Sequence, residues 1–532
     1  MKRIVTVVAG ACLVAAALVA PAQAQTTNEY VATEETFESE DGTQLYAQVF
    51  RPAHLDAEDE TPVILVITPY QSFLTLSVGP SFLYRELQDE MRVFEKGYTV
   101  VQASLRGYGR SEGCGDFGGP GEQMDATAAV NWAASQPWST GKVGTYGISY
   151  DAWTQVMALA GKAKLSAAIV SSPLISAYRG LFMNRVHYAD GWHATPGLYG
   201  AIDLTSVGAP DETSPTCYPT NAYETAQADP TTDYWKERDL IKRARKSDVP
   251  TFWTFGFMDP QTKPDNFYDI YGSLDGEKRA WFGQWIHRIP MAQTGNKAFP
   301  VEAMRFFDEH LKGIETNDPG AAIQEGSAGE WRTEAEWPPA DSKYVTLPVK
   351  AGGFVDSYTD DDGAASERGT WTFSQKLPYD VHLSGIGKVD LRIDSSLAGV
   401  HVHARLFDVN NTSAKLITRG AIEVVGEGAP TDGLAEARVR FDFYPQDWRL
   451  EKGHRIGLLL SGADNDWFDP GVTNASVTVT GAFKIPFLRL ARTKAIPETQ
   501  RSSDMSNARI LSLTGEVISE RAVRMPLPPR MR

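Results

Sequence analysis

Between residues 61 and 170 short apolar runs alternate with helical patterns, and this alternation restricts the fold more than any other feature of the chain. Val63-Ile64-Leu65-Val66-Ile67 has the composition of a fully buried strand, residues 84–96 read as a helix stopped by Gly97, and 98–103 as a second strand. A helix over 123–135 leads into a strand at 143–146, and a further helix leads into the apolar run 167–170. Strands separated by helices must run parallel, and a parallel sheet needs cover on both faces. The rhythm stops near Pro173 and resumes at Pro250-Thr251-Phe252-Trp253 and Arg279-Ala280-Trp281-Phe282, ending in a helix over 301–311. Residues 176–248, rich in aromatics, Pro, Thr and Asp, therefore read as an insertion, with a helical stretch at 233–246.

Two flanking regions keep a different period. Residues 30–52 alternate polar and apolar around Asp41-Gly42, as a β-hairpin does. From about residue 345 the pattern is all-β, with alternation at 389–393, 400–407, 437–443 and 477–480 between Gly, Asp and Asn turns. A two-sheet sandwich or jelly roll fits it. The expected domains are an α/β core in two parts (25–175 and 249–340), a helical cap inserted at 176–248, and a β-sandwich with tail at 341–532. The last segment, 496–532, is polar and Pro-containing and is expected to wrap the surface.

Size and charge agree with this division. A chain of 532 residues exceeds one compact domain of about 150 residues, and 42% hydrophobic with 22% charged residues is a globular composition. With 51 basic against 67 acidic side chains the net charge is -16, which leaves nothing to neutralise phosphates and excludes nucleic acid as partner.

Met1-Lys2-Arg3, an apolar run from Ile4 to Ala20, and Ala22-Gln23-Ala24 make a secretory signal peptide expected to be cut after Ala24. No second apolar segment is long enough to span a membrane, so export to the periplasm or exterior without membrane association is the expectation. Removal of Lys2 and Arg3 with the leader enlarges the acidic excess and mildly favours neutral or cationic substrates. Cys114 and Cys217 remain in the mature chain, either paired in an oxidising compartment or as separate thiols.

The chemistry starts at Gly147-Ile148-Ser149-Tyr150-Asp151, directly after one strand and before one helix. A serine at a sharp strand-to-helix turn presents its hydroxyl at the sheet edge, beside the positive end of the helix. Alone, such a serine is equally well explained as a helix N-cap. Gly256-Phe257-Met258-Asp259 and Gly283-Gln284-Trp285-Ile286-His287 each end a later strand, giving the chain order Ser, Asp, His. A hydroxyl needs a base to remove its proton, and an imidazole titrating near neutrality suits that task. Asp265 and Asp269 are rival acids that lie beyond the strand end.

The chain resembles the cocaine esterase / X-Pro dipeptidyl-peptidase family of serine hydrolases, which includes α-amino acid ester hydrolases and β-lactam acylases. The resemblance runs along nearly the whole mature chain. It rests on Thr68-Pro69-Tyr70, Arg106-Gly107-Tyr108-Gly109-Arg110-Ser111-Glu112-Gly113, Gln136-Pro137-Trp138-Ser139, the Asp and His strand ends, Phe307-Asp308-Glu309-His310-Leu311-Lys312-Gly313, and Gly453-His454-Arg455. It implies an α/β-hydrolase core, a helical cap and a C-terminal jelly roll. It also implies Ser149 as nucleophile, His287 as base, Asp259 as acid, and an oxyanion hole made by the Tyr70 hydroxyl and the Tyr150 backbone N–H. Two positions depart from the family pattern: Asp151 replaces a small residue after the elbow, and Ser104 stands where Asp is frequent.

The remaining signals are weaker. Tyr178, Phe182, Tyr188, Trp192, Tyr199, Tyr234 and Trp235 either line a pocket beneath the cap or pack the cap itself. Asp190 with His187 and His193 lacks metal-site spacing, and His401-x-His403 is better explained as a strand surface than as a metal site. Gly107-x-Gly109 is too short for a dinucleotide fingerprint and reads as a turn near the active-site edge. No cofactor and no metal are expected.

The expectation is an exported serine hydrolase of carboxylesterase or acylase type, acting on a small ester or short peptide through an acyl-enzyme. The alternatives are an X-Pro dipeptidyl-peptidase or α-amino acid ester hydrolase, in which Asp151 and Asp190 could hold an ammonium group, and more distantly a non-catalytic glycan-binding protein.

Overall fold

The computed structural model describes residues 25–26, 29–71, 86–189, 217–290, 298–316, 321–324, 331–357, 369–411, 413–426, 433–495, 510–512 and 522–523. The expected leader, 1–24, lies outside them.

Among the described residues one sheet has eleven strands, and the central seven run parallel: Thr99–Ser104, Thr61–Thr68, Ser139–Ile148, Ala167–Ser171, Thr251–Gly256, Lys278–Gly283 and Ala321–Gln324, in spatial order. The hairpin Tyr30–Glu38/Gln44–Pro52 joins antiparallel on one side, and Trp331–Glu334 on the other. The apolar run at 63–67 shows why both faces must be covered. Val63, Leu65 and Ile67 point into one core with the helices Pro120–Ser135 and Tyr150–Gly161. Ile64 and Val66 point into a second core, filled by Phe299, Phe306 and Phe307 of the helix Ala298–Lys312. Strand alternation thus divides one continuous hydrophobic run between two layers.

Two expected helices are broken. Within 84–96 the described part is a π-helical turn, Glu86–Glu90, followed by turns with Arg92 in the left-handed region. Leu87, Met91, Val93 and Phe94 are all buried against the sheet, and while 87, 91 and 94 would share one helical stripe, Val93 would lie about 120° away from Leu87 on a continuous helix. The stretch 233–246 splits into Asp233–Glu237 and Ile241–Ala244. Arg238 between them is buried, donating to the carbonyls of Asp116, Phe117 and Tyr234 and lying 3.5 Å over the Tyr234 ring.

The inserted region contributes short helices and the hairpin Phe182–Met183/Val186–His187. Tyr178 stacks on Phe182 at 5.1 Å and Trp235 meets both rings edge-on, so these aromatics pack the cap. Tyr188 stacks on Phe468 of the sandwich at 5.3 Å and its hydroxyl bonds to that of Tyr444. Asp190, Trp192, His193 and Tyr199 lie outside the described residues.

The C-terminal part is a sandwich of two six-stranded sheets around Leu347, Leu391, Ile393, Val402, Leu406, Leu458 and Val479. The tail does more than wrap the surface: Ile510–Ser512 and Ala522–Val523 add edge strands at opposite sides of one sheet. Backbone groups on an open sheet edge are unpaired donors and acceptors, and the tail satisfies some of them. No described helix is long and apolar enough to cross a membrane.

Candidate active site

Parallel registry brings three strand ends to one edge. Ile148 pairs with Ser171, Ser171 with Thr254, and Gly256 with Gly283. Past these ends the chain continues the pairing, with Ser149 N–H donating to Ser171 O, Ser172 N–H to Thr254 O, and Phe257 N–H to Gly283 O. Ser149, Asp259 and His287 are carried by strands of this one edge, as the sequence order requires.

Ser149 has φ +67° and ψ −126°, a conformation strongly disfavoured for a residue with a side chain. The adjoining helix holds the strain in place: Ala152 and Trp153 N–H both donate to Ser149 O, starting the helix Tyr150–Gly161 at once. Close packing explains the glycine two positions earlier. A Cβ on Gly147 would lie 2.7 Å from Asp151 Cβ and 2.9 Å from the Asp151 carbonyl.

Tyr70 lies just past the central strand Thr61–Thr68. Its hydroxyl donates to Ser149 Oγ at 3.3 Å and accepts from Tyr150 N–H at 3.3 Å. The Tyr150 N–H thus points at the Tyr70 oxygen and the Tyr70 hydroxyl at Ser149 Oγ, which places both donors beside the serine. Although Tyr70 is 42% exposed, its hydroxyl end sits among these groups. Burial of that end, then the Asp151 carboxyl, pushes its phenol up and keeps it a donor. The Arg106 motif supports this segment. Gly109 N–H donates to Gln71 O at 2.6 Å, Leu105 N–H to Thr68 O, and buried Ser104 bonds the Gln71 amide oxygen. Arg106 clamps Asp125 and Asp41, so the Gly107-x-Gly109 turn borders the site, as its sequence suggests.

Asp259 Oδ2 lies 2.8 Å from His287 Nδ1. The carboxylate is fully buried and also accepts from Thr262 Oγ1 at 2.9 Å, Gln261 N–H at 2.8 Å and Thr262 N–H at 3.1 Å. Burial alone would raise its pKa, but the His287 charge and these donors hold it below the usual value. The His287 side chain is 12% exposed. Among the described residues Ser149 Oγ bonds to Tyr70 and not to His287; such bonds tighten only once substrate is bound. The rival acids are placed elsewhere. Asp269 pairs with Arg179 at 2.6 Å, and Asp265 stands beside that same arginine, its carboxyl pushed by burial to about 6.

Asp151, two residues past the elbow serine, is only 1% exposed. Its Oδ1 has no hydrogen-bond partner among the described residues, and burial pushes the carboxyl well above its ordinary range. It is therefore unsuited to hold a substrate ammonium group, one of the two positions the sequence offered for that role. Sequence reasoning missed Glu122, which lies under the same elbow and accepts the Tyr150 hydroxyl at 2.6 Å and the Gly118 N–H at 2.8 Å. The only sequence signal for it is an acidic residue in a first helical turn.

Other groups have partners or places of their own. His187 pairs with Asp469 at 2.8 Å. The His401 and His403 rings lie 5.8 Å apart, and burial pushes His403 far below its normal range. Glu277, Glu309 and His310 are close enough to share an ion, but the Arg279 guanidinium already bridges the two carboxylates. Cys114 is disulfide-bonded. A cavity of about 1040 Å³ between cap and sandwich is lined by Tyr178, Arg179, Asp265, Tyr268 and Arg438 among others, and not by Ser149, Asp259 or His287.

A mostly parallel sheet with a strained serine elbow, a cap inserted after it and a β-sandwich behind define a serine hydrolase of the α/β-hydrolase fold. Residues 41–288 match the model of the X-Pro dipeptidyl-peptidase (S15) family, and residues 312–502 match that of the X-Pro dipeptidyl-peptidase C-terminal non-catalytic domain. The chain belongs to this cocaine esterase / X-Pro dipeptidyl-peptidase family of serine hydrolases. A putative Xaa-Pro dipeptidyl-peptidase of Streptomyces avermitilis is 24% identical across 84% of this chain and 79% of its own. The cocaine esterase of a Rhodococcus species is 24% identical across 60% of this chain and 62% of its own. A CocE/NonD family hydrolase of Staphylococcus aureus superposes with a TM-score of 0.69 at 16% identity, covering 86% of this chain and 94% of that one.

Proposed function

We propose that the protein is an exported carboxylesterase or acylase that cleaves small ester or amide substrates through an acyl-enzyme. The observation that carries the reading is Ser149, held at φ +67° against the Tyr70 hydroxyl, on the same sheet edge as the Asp259–His287 pair.

Ser149 Oγ attacks the carbonyl carbon while His287 Nε2 takes its proton. Asp259 fixes the imidazole tautomer through Nδ1 and stabilises the cation that forms. The tetrahedral oxyanion takes the Tyr70 hydroxyl and Tyr150 N–H. On collapse the bond to the leaving group breaks and His287 returns the proton to it. Water then attacks the acyl-enzyme, giving its proton to His287, and the carboxylic acid leaves as Ser149 is reprotonated.

Burial of Asp151 removes one candidate for amine recognition and favours the esterase or acylase reading. The Xaa-Pro dipeptidyl-peptidase reading is favoured by relatives of that designation across most of the chain. Turnover of an aryl ester and of a free-amine Xaa-Pro-arylamide separates them: the ester is expected to react at least tenfold faster in kcat/KM, and the reverse overturns the esterase assignment. A disulfide at Cys114 and the leader-like 1–24 support export. A fluorophosphonate probe should label wild type and not Ser149→Ala; a folded wild type that stays unlabelled overturns the mechanism.

A further inference from the structure

We propose that Gln446 and Asp447 of the C-terminal sandwich are positioning residues for His287 and Asp259, acting through Gln284 and Trp337. The proposal rests on reading His287 and Asp259 as base and acid.

Gln284 opens the segment that carries His287. Its amide donates to Gln446 Oε1 at 2.6 Å and to Asp447 O at 3.0 Å, so the segment is pinned to the sandwich by two directional bonds. Gln446 is itself fixed, 2% exposed, with its amide nitrogen on Ile417 O at 2.8 Å and its amide oxygen accepting Asp447 N–H at 2.8 Å. The Asp447 carboxylate is fully buried and gathers Arg332 (both terminal nitrogens at 2.6 Å), His382 Nε2 (2.6 Å), Ser384 Oγ (2.6 Å) and Trp337 Nε1 (3.3 Å).

Trp337 carries the same anchor to the acid. Its ring lies 5.1 Å from that of Phe257, two residues before Asp259. The two segments are also tied to each other, by Phe257 N–H on Gly283 O, Met258 N–H on Trp285 O, and a contact so close that a Cβ on Gly256 would lie 2.1 Å from Trp285 O.

A sandwich that served only to bury apolar surface would need no polar bonds to the histidine segment, because apolar burial is non-directional. Hydrogen bonds fix direction, and an error of about 1 Å in a catalytic group can lower turnover by about a hundredfold. The sandwich thus sets the geometry of a base that it does not itself carry.

The test uses the full chain with Gln284→Met, Gln446→Met and the double variant, assayed on an aryl ester. Each single variant is expected to lose about tenfold in kcat with KM within about twofold, and the double to lose no more than Gln284→Met, which already removes both bonds of the Gln284 amide. Thermal melting identifies variants that fold, and Gln284→Asn, too short to span, replaces any that does not and is expected to lose the same kcat. Wild-type kcat in the folded variants, or losses that multiply in the double, overturns the proposal. His287→Ala is the separate control: activity retained there defeats the assignment of the base, whatever Gln284 does.

Discussion

The hydroxyl of Tyr70 donates to Ser149 Oγ at 3.3 Å and accepts the backbone N–H of Tyr150 at the same distance, so one oxygen touches both the elbow serine and the first backbone donor of the helix after it. Because burial pushes its phenol up, it remains a protonated donor across the neutral range. Tyr70→Phe should lower kcat by about a hundredfold or more, as loss of an oxyanion donor does, with little change in KM. Steady-state kinetics on an aryl ester measure this; a change confined to KM would place Tyr70 in substrate binding instead.

Asp259 makes four hydrogen bonds in a fully buried pocket, and only one is to His287. Asp259→Asn keeps the size of the side chain but can present an N–H toward Nδ1, selecting the wrong imidazole tautomer. A drop of about ten thousandfold in kcat is expected, as for a triad acid converted to its amide. Fluorophosphonate labelling should slow in parallel, because that step also needs the base.

Much of this site is legible in the sequence because its signals are local. A buried-strand run, a glycine and a serine before a helix state their own geometry, and the Asp and His strand ends carry theirs. Contacts made across long sequence separation are not legible. Arg238 interrupts an otherwise helical stretch because its partners are carbonyls near residue 116, and Asp447 gathers Arg332, Trp337, His382 and Ser384 from three separate strands or turns. The burial of Asp151 results from the tight turn at Gly147, which pulls the first helical turn under the sheet edge. A one-residue pattern cannot tell that carboxyl from one facing substrate.

Asp151 makes a pH prediction. Its folded pKa is raised well above its unfolded value by burial, so its contribution to stability is fully present below about pH 4 and is lost as pH rises through the folded pKa. Asp151→Asn removes that titration. Melting temperatures from pH 5 to 9 should fall more steeply for wild type than for the variant, and parallel curves would show that the carboxyl titrates normally.

Asp41 has the opposite sign. Its carboxylate meets Arg106 at 2.8 Å, and that guanidinium, through its hydrogen bonds, holds the pKa down to about 2. A depressed folded pKa contributes stability above the unfolded value near 3.8 that is lost as pH falls toward 2. The side chain is 35% exposed, so screening limits the pair to on the order of 1 kcal/mol. Arg106 keeps its buried partner Asp125 in Asp41→Asn, so the chain should fold and Tyr70, carried by the neighbouring turn, should keep its place. Urea unfolding at pH 7 should show a loss of about that size with kcat unchanged, and the gap between variant and wild type should close as the pH approaches 2. A gap that persists there would mean that Asp41 acts through its hydrogen bond to Thr43 N–H and the hairpin turn, and not through its charge.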